Sequence, residues 1–333
     1  MERLESRKKD HIDLAFKSQT TRIELDRRFH YEPLLKPHPS EGLKPFTFLG
    51  KEHRVPMWVS SMTGGTKLAG TINRNLARAC HEFGMGMGLG SCRIIMEDDT
   101  YFDDFNMRPV IGDDLPLWAN LGIAQVEELV HRNRTGRAAA LVEKLKADGL
   151  IIHVNPMQEW FQPEGDILKE PPVETIRRFL DHFPYPVIVK EVGQGMGPES
   201  LRQLMQLPLQ AVEFAAFGGT NFARVELLRD ESGSATLFEP LSMIGEDAVS
   251  MLEEINRIAA ETSPVCQEII ISGGIRTFLD GYYLIRKSSL PAVYGMASTF
   301  LKYAREDYEV LRDFVTSQIR GLEMAFAYLT IRE

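Results

Sequence analysis

The fold is decided by residues 150–159, which read Leu-Ile-Ile-His-Val-Asn-Pro-Met-Gln-Glu. A short apolar run, typical of a buried strand, ends here in an imidazole, two carboxamides and a carboxylate. A core strand that ends in hydrogen-bonding and ionisable groups delivers them to one rim of the fold, where they are placed for chemistry. The stretch therefore predicts a buried strand with a candidate site at its carboxyl end.

Similar apolar runs recur along the chain and alternate with stretches of helical period, which is the pattern of a parallel sheet built from βα units. Eight such runs predict an α/β fold, a closed (β/α)8 TIM barrel, with Glu306–Leu329 as its last helix. The predicted strands are Val55–Ser61, Met85–Gly90, Leu117–Leu121, Leu150–Val154, Val187–Glu191, Ala211–Ala215, Ile269–Ser272 and Ala292–Tyr294. The other predicted helices include Leu68–Phe83, Gly136–Ala147, Val173–His182, Asp247–Glu261 and Thr277–Lys287.

No linker or repeat divides the chain, so we expect residues 1–333 to form one barrel domain. Residues 1–54 would be an amino-terminal extension and residues 55–333 the barrel itself. The interval Gly219–Gln267, between strands six and seven, is too long for one simple crossover and predicts an insertion. Within it, Arg229–Ala235 is polar and rich in Gly and Ser, which predicts a mobile loop.

Composition limits the classes of partner. A net charge of -9 argues against nucleic-acid binding, because the phosphate backbone requires a concentrated excess of Lys and Arg. No apolar run approaches the roughly 20 residues of a bilayer span, and the charged first ten residues do not form a secretory signal. Cys80, Cys92 and Cys266 are too widely spaced to suggest a disulfide framework or a thiolate metal site. We expect a cytoplasmic protein that binds small molecules.

Glycines follow several predicted strands at the end where barrels of this kind have their active sites. Gly273-Gly274 follow strand seven, and Gly295, Met296 and Ala297 follow strand eight. The loops after these two strands form the recurrent phosphate site of the fold, where backbone amides approach the ligand closely. Tight turns alone would also explain either set of glycines. Their common register favours a phosphate.

Three side chains near strand ends have both a chemical and a structural interpretation. Lys190 can hold an anion, or it can form an ion pair with Glu191. Glu159 is the best metal candidate, because Mg2+ takes carboxylate oxygens and keeps several waters. His153 lies beside apolar residues and can be a hydrogen-bonded core histidine. The nearby polar residues Asn155, Gln158 and Glu159 favour a functional role instead.

Basic residues occur in two further places. Arg93 comes directly after the glycine turn of strand two, where it can pair bidentately with phosphate oxygens. Arg7, Lys8 and His11 lie in a polar segment whose charge alone indicates a solvated tail. We expect Met1–Asp10 to be mobile without substrate, because few apolar residues anchor it.

With these residues taken together, the chain resembles a known family, type 2 isopentenyl diphosphate isomerase, a flavin-dependent (β/α)8 enzyme. The resemblance runs nearly from end to end. Its glycine motifs are shared with other FMN barrels, whereas the stretch from His153 to Asp166 is specific. The motifs that carry it are Arg7–Ile12, Ser61–Gly65, Gly90-Ser91, Asn120–Gln125, His153–Glu159, Gln162–Asp166, Val189–Gly193, Gly218–Thr220 and Ser272–Arg276.

The resemblance implies the reversible conversion of isopentenyl diphosphate to dimethylallyl diphosphate, with reduced FMN as acid and base, NADPH as the reductant and Mg2+ on the diphosphate. It implies catalytic roles for His153, Gln158 and Lys190, makes Glu159 the Mg2+ ligand, and suggests a homotetramer or larger assembly. The implied substrate-binding residues are Arg7, Lys8, His11, Arg93, Asn155 and Gln158. The implied FMN-binding residues are Ser61, Met62, Thr63, Ser91, Asn120, Lys190, Thr220, Gly273, Gly274, Arg276, Gly295, Met296 and Ala297.

Two other functions fit parts of the sequence. An FMN-dependent oxidoreductase of the 2-hydroxyacid oxidase type shares the barrel and the phosphate site. An enzyme of the inosinate-dehydrogenase type needs a reactive cysteine in the loop after strand six, where this chain has Thr220 after the glycine pair, so that type is disfavoured. A non-catalytic flavin-binding protein has no need of the polar residues 153–159 and Lys190 together. The chain departs from the family pattern at four places: Cys92 stands where a Gln is usual, Asn221-Phe222 replaces Ser-Trp, Glu213 replaces an Asp, and Pro198 stands near a usual Ser. Cys92 and Asn221-Phe222 border the flavin region.

Overall fold

The computed structural model describes residues 2–61, 65–230 and 235–332. Two implied FMN contacts, Met62 and Thr63, lie outside the described residues, as does the centre of the predicted mobile loop, residues 231–234.

Eight parallel strands, β4 to β11, close into a barrel in chain order. All eight predicted strands are confirmed, with ends within two residues of those expected. The barrel prediction is therefore confirmed. The strands are β1 (Phe29–Tyr31), β2 (Phe46–Phe48), β3 (Lys51–His53), β4 (Met57–Val59), β5 (Gly86–Gly88), β6 (Leu117–Gly122), β7 (Gly149–His153), β8 (Val187–Lys190), β9 (Ala211–Glu213), β10 (Ile269–Ser272), β11 (Ala292–Met296) and β12 (Leu329–Ile331).

Helices cover the outside of the barrel, and three of them, α10 to α12, lie in the predicted insertion between β9 and β10. The amino-terminal segment begins in helix α1, which its polar sequence did not predict. Among the described residues, no helix is both long and apolar enough to cross a membrane. The helices are α1 (Glu2–Leu14), α2 (Lys67–Phe83), α3 (Phe102–Phe105), α4 (Arg108–Ile111), α5 (Ile123–His131), α6 (Gly136–Leu145), α7 (Pro156–Phe161), α8 (Pro172–Leu180), α9 (Pro198–Met205), α10 (Phe222–Arg229), α11 (Ala235–Ser242), α12 (Ala248–Glu261), α13 (Phe278–Lys287), α14 (Ser298–Ala304) and α15 (Tyr308–Tyr328).

The interior of the barrel changes from apolar to polar along the strands. Side chains alternate between the two faces of a strand, so residues two apart share the interior face. The apolar layer forms one buried cluster with residues 48 and 49 of the β2–β3 hairpin, and its barrel members are Trp58, Trp118, Ile151, Ile188, Ala211, Ile270 and Val293. The residues two positions further along are Ser60, Asn120, His153, Lys190, Glu213, Ser272 and Gly295. A polar layer therefore lies directly above an apolar floor.

The amino-terminal extension is attached to the barrel at two places. Strand β1 pairs antiparallel with β12 near the carboxyl terminus. The hairpin of β2 and β3 inserts Phe48 and Leu49 into the apolar layer. These contacts bury the amino ends of the barrel strands and leave the polar layer at the opposite end.

His53, at the end of β3, is fully buried in this hairpin without a hydrogen-bond partner for either ring nitrogen among the described residues. Its ring lies 5.6 Å from that of Phe46 and 5.7 Å from that of Phe48, measured between centroids. Burial lowers the pKa of His53 to about 4, because no nearby group compensates for the lost hydration of the charged ring.

We expect His53→Phe to remove an acid sensitivity of the fold. As the pH falls from 6.5 towards 4, the unfolded chain binds a proton that the folded chain does not, so wild-type stability falls by on the order of 3 kcal/mol through this group. Urea unfolding between about pH 7 and about pH 4.5 measures this slope. The exposed His182→Gln variant is the control and should keep the wild-type slope. Equal slopes for wild type and His53→Phe would contradict the assignment.

Candidate functional site

The polar layer opens into two adjoining cavities at the carboxyl ends of the barrel strands. The larger, of about 360 Å³, extends towards β10 and β11. The smaller, of about 150 Å³, lies towards β6 and β7. Ser61, Lys190, Val192 and Phe222 line both cavities, so the two are direct neighbours.

The structure gathers the predicted cofactor residues around this space. All eleven of those that lie within the described residues line one cavity or both, and they are Ser61, Ser91, Asn120, Lys190, Thr220, Gly273, Gly274, Arg276, Gly295, Met296 and Ala297. Their binding of FMN stays a prediction.

Glycine is required at the β10–β11 end of the larger cavity. Gly273 has φ of 94°, and a β-carbon there would meet the backbone N and O of Ala216. A β-carbon on Gly295 would lie 2.5 Å from Ser60 Oγ. The backbone is therefore kept bare where the fold recurrently binds phosphate, which fits the phosphate of FMN.

Several buried polar atoms of the larger cavity have no partner among the described residues. They are Ser60 Oγ, Ser61 Oγ and Glu213 Oε2. Buried polar groups are almost always hydrogen-bonded, because leaving one unpaired costs about 1–3 kcal/mol. The cavity is therefore suited to a ligand with several polar groups, and FMN fits this requirement.

Lys190 is buried, and its ammonium donates to the backbone oxygen of Glu191 at 2.6 Å. The alternative ion pair with the Glu191 carboxylate does not form. That carboxylate instead accepts hydrogen bonds from the backbone N–H groups of Gly193, Gln194 and Gly195 at 2.6 to 3.0 Å, and burial raises its pKa. No carboxylate of the described residues pairs with Lys190, so its charge is available to a ligand in the cavity.

His153 is held as a neutral ring with a defined tautomer. Its Nδ1 lies 2.7 Å from Asn120 Oδ1, while Asn120 Nδ2 donates to the backbone oxygen of Leu89 at 3.0 Å. Since the amide oxygen of Asn120 is an acceptor, Nδ1 carries the proton and Nε2 has the free lone pair. Burial and the charge of Lys190 lower the pKa of His153 to about 3. The ring is hydrogen-bonded like a core histidine, and it also lines the smaller cavity.

The polar residues of α7 form one hydrogen-bonded network. Asn155 Nδ2 donates to Gln158 Oε1 at 3.1 Å and to Glu159 Oε1 at 2.9 Å. The second oxygen of Glu159 accepts from the backbone N–H of Asp166 at 2.9 Å. Gln158 and Glu159 are thereby fixed in orientation, and Gln158 lines the smaller cavity.

Glu226, on α10, completes this network and was missed by the sequence interpretation. It is buried, and its Oε1 accepts from Gln158 Nε2 at 3.0 Å and from Gln162 Nε2 at 2.8 Å. Arg229 pairs with its other oxygen at 3.1 Å. In the sequence, Glu226 is an ordinary acidic residue of a helix, and only the packing of α10 against α7 reveals its role.

The proposed diphosphate ligands are placed less completely. Arg93 is exposed and pairs with Asp166 at 3.1 Å. Arg7, Lys8 and His11 are exposed on α1, so their contact with substrate stays a prediction. Among the described residues, no group of three or more His, Cys, Asp or Glu is arranged to hold a metal. A Mg2+ ion here would bind Glu159 and share its other positions with water and diphosphate oxygens.

The departures from the family pattern are mostly directed away from the cavities. Cys92 is buried, its thiol donates to the backbone oxygen of Gly90, and burial raises its pKa to about 12. Asn221 caps α10 by accepting from the backbone N–H of Arg224 at 2.9 Å. Of the departures, Phe222 and Glu213 line the cavities.

The closed barrel and the position of its cavities define a (β/α)8 barrel of the type found in flavin oxidases. Similar solved structures include a mandelate oxidase variant with the monooxide FMN adduct, with a TM-score of 0.54 and 16% identity over 92% of this chain and 88% of that one. A flavocytochrome b2 variant with sulfite bound has a TM-score of 0.58 and 16% identity over 89% of this chain and 71% of that one. At such identities the likeness shows the fold alone.

Curated relatives identify the family. The isopentenyl-diphosphate delta-isomerase of Rickettsia prowazekii is 33% identical over 306 residues, covering 90% of this chain and 85% of the relative. That of a Nostoc species is 33% identical over 317 residues, covering 93% and 87%. No protein-family model matches the chain. The chain belongs to the isopentenyl-diphosphate delta-isomerase family of isomerases, which confirms the resemblance found in its sequence.

Proposed function

We propose that the protein converts isopentenyl diphosphate to dimethylallyl diphosphate, reversibly, with reduced FMN and with Mg2+ on the diphosphate. One observation carries the proposal: the glycine-lined cavity adjoins the smaller cavity that Gln158 lines, and Lys190 lines both. A flavin and a small diphosphate ester can therefore be held side by side. The names of the relatives support the substrate.

FMN would lie along the larger cavity, with its phosphate at Gly273, Gly274 and Gly295 and its ring near Lys190. When reduced, by NADPH in this proposal, it would supply a proton carrier beside the alkene. Lys190 would stabilise negative charge on the reduced ring, since its ammonium has no carboxylate partner among the described residues.

Gln158 is the side chain best placed to contact the isoprenoid tail. Its amide oxygen accepts from Asn155 and its amide nitrogen donates to Glu226, so the group is held at both ends. The apolar ring of Phe222 lines the same cavity. Together they would keep the alkene oriented and limit the access of water, which is how positioning contributes to a reaction of an unactivated double bond.

His153 would bind the diphosphate only after gaining a proton. Its free Nε2 is an acceptor in the neutral ring, and diphosphate oxygens are acceptors too, so a hydrogen bond between them requires N–H at Nε2. The negative charge of the ligand would raise the pKa of the imidazole from about 3 in the free protein. Binding would thus be coupled to protonation.

We expect substrate binding at about pH 7 to take up close to one proton more in the wild type than in His153→Gln. The complex holds a proton that the free protein lacks, so affinity should increase as the pH falls. Calorimetric titration of the FMN-loaded proteins in two buffers of different ionisation enthalpy measures the uptake. Proton changes of the substrate itself are common to both proteins. Equal uptake would remove His153 from the diphosphate site.

Glu159→Gln tests the metal assignment. The amide keeps the shape of the side chain but loses the charge that attracts Mg2+, so we expect the Mg2+ requirement for turnover to rise by about tenfold or more. The visible spectrum should show FMN retained. Glu164→Gln, an exposed change five residues away, is the control and should leave the Mg2+ requirement unchanged. An unchanged requirement in Glu159→Gln would exclude this residue as the ligand.

The reaction itself is tested with FMN-loaded protein, isopentenyl diphosphate and Mg2+, with and without anaerobic reduction. We expect dimethylallyl diphosphate, detected by NMR, only with the reduced cofactor. Absence of product in both redox states would overturn the proposal. Oxidation of mandelate or lactate by the oxidised form would favour the alternative, an FMN-dependent oxidoreductase of the 2-hydroxyacid oxidase type.

We also propose a cytoplasmic protein that assembles as a homotetramer or a larger homo-oligomer and binds neither nucleic acid nor membranes. The net charge of -9 supports the exclusion of nucleic acid. Light scattering of the purified protein measures the assembly.

A further inference from the structure

Glu213 is a fully buried carboxyl group that lines the larger cavity, and the proposed function gives it no role. It is the last residue of β9, and its Oε1 accepts a hydrogen bond from Ser272 Oγ at 3.1 Å. Its Oε2 has no partner among the described residues. A carboxyl oxygen left unpaired in a buried site is costly unless a ligand donates to it.

No neighbour of Glu213 among the described residues supplies that donor in the structure. Ser272 Oγ accepts from the backbone N–H of Ala215 at 2.9 Å and has a single proton, which it gives to Oε1. Lys190 lies opposite Glu213 in the pairing of β8 with β9, but its ammonium donates to the backbone oxygen of Glu191, and no hydrogen bond or ion pair joins Lys190 to Glu213 among the described residues. The free oxygen of Glu213 is therefore available to a donor in the cavity.

The place of Glu213 in the barrel selects one part of FMN. Strand β9 lies between β8, whose end carries Lys190, and β10, whose end carries Gly273 and Gly274. With the flavin ring beside Lys190 and the phosphate at the glycines, the segment of FMN above β9 is the ribityl chain. Its hydroxyl groups are hydrogen-bond donors, whereas a phosphate would bring more negative charge to the carboxyl group.

We propose that Glu213 Oε2 accepts a hydrogen bond from a ribityl hydroxyl of FMN and so positions the cofactor along the barrel mouth. The inference rests on the proposed function for the presence of FMN. Ser60 Oγ, a second unpartnered atom of the same cavity, would take a neighbouring hydroxyl. Glu213 is thus a positioning residue that selects a polyhydroxylated linker.

The test is binding rather than turnover. FMN and its 2′-, 3′- and 4′-deoxy analogues are titrated into the apoprotein, and the dissociation constants are read from flavin fluorescence. In the wild type, removal of the hydroxyl that meets Glu213 should weaken binding by about tenfold. Glu213→Met has a side chain of similar length but without a strong acceptor, so it should weaken FMN binding by a similar factor. This variant should bind FMN and the analogue that lacks the hydroxyl equally well. Glu213→Gln keeps an acceptor and should be intermediate.

Arg276→Ala is the matched control, because Arg276 lines the phosphate end of the same cavity. It should weaken FMN binding and keep the preference for the hydroxyl. If the three analogues bind wild type as tightly as FMN, or if Glu213→Met still discriminates against the same analogue as wild type does, the proposal is wrong. Should Glu213→Met fail to fold by circular dichroism, the analogue series on wild type and Glu213→Gln still decides.

Failure of this inference can be told apart from failure of the proposed function. A protein that isomerises its substrate but shows no Glu213-dependent preference loses only the role of Glu213. If the protein shows the preference but makes no dimethylallyl diphosphate, the role of Glu213 stands and the isomerase assignment is wrong. A protein that does not bind FMN at all overturns both.

Discussion

The two-residue alternation of side chains along the barrel strands is the constraint on which the rest of the structure depends. Each strand that places a large apolar residue in the floor of the barrel must place its next inward residue two positions further on. Because Trp118, Ile151 and Ile188 point inward, the side chains two positions further on must point inward as well. These are Asn120, His153 and Lys190. A slip of one residue would turn the polar groups away from the barrel interior and against the surrounding helices. The same alternation of side chains therefore places both the apolar floor and the polar site.

The same constraint sets the electrostatics of the site. Asn120 lies opposite Ile151, and β7 pairs in turn with β8 so that His153 faces Lys190. The backbone oxygen of Leu89 orients the Asn120 amide, the amide oxygen fixes the proton of His153 on Nδ1, and the charge of Lys190 opposes a second proton. In a buried layer, desolvation is the larger cause and the charge adds to it. The neutral histidine is thus a consequence of strand register.

Much of this was predictable from the sequence, and the reason is local. Barrel strands are buried on both faces, so they appear as short apolar runs, and the residues that follow them lie at one rim of the fold. That is why Lys190, Gly273 and the 153–159 stretch could be assigned. Glu226 could not, because its burial comes from α10 packing on α7, and nothing in the local sequence of α10 signals it. Helix α1 was also missed, since its polar sequence carries no apolar stripe.

The charges around the cavities bear on the metal in the proposed function. Of the described residues that line the two cavities, the fixed cations are Lys190 and Arg276, and both belong to the proposed flavin site. The α7 network instead contains the carboxylates of Glu159 and Glu226. The nearby Arg93 already forms an ion pair with Asp166. A diphosphate placed there without compensation would meet like charges at short range in a low dielectric. In the proposed function, a divalent ion on Glu159 would offset that charge, and Arg93 would add a second positive charge if the diphosphate replaced Asp166 as its partner.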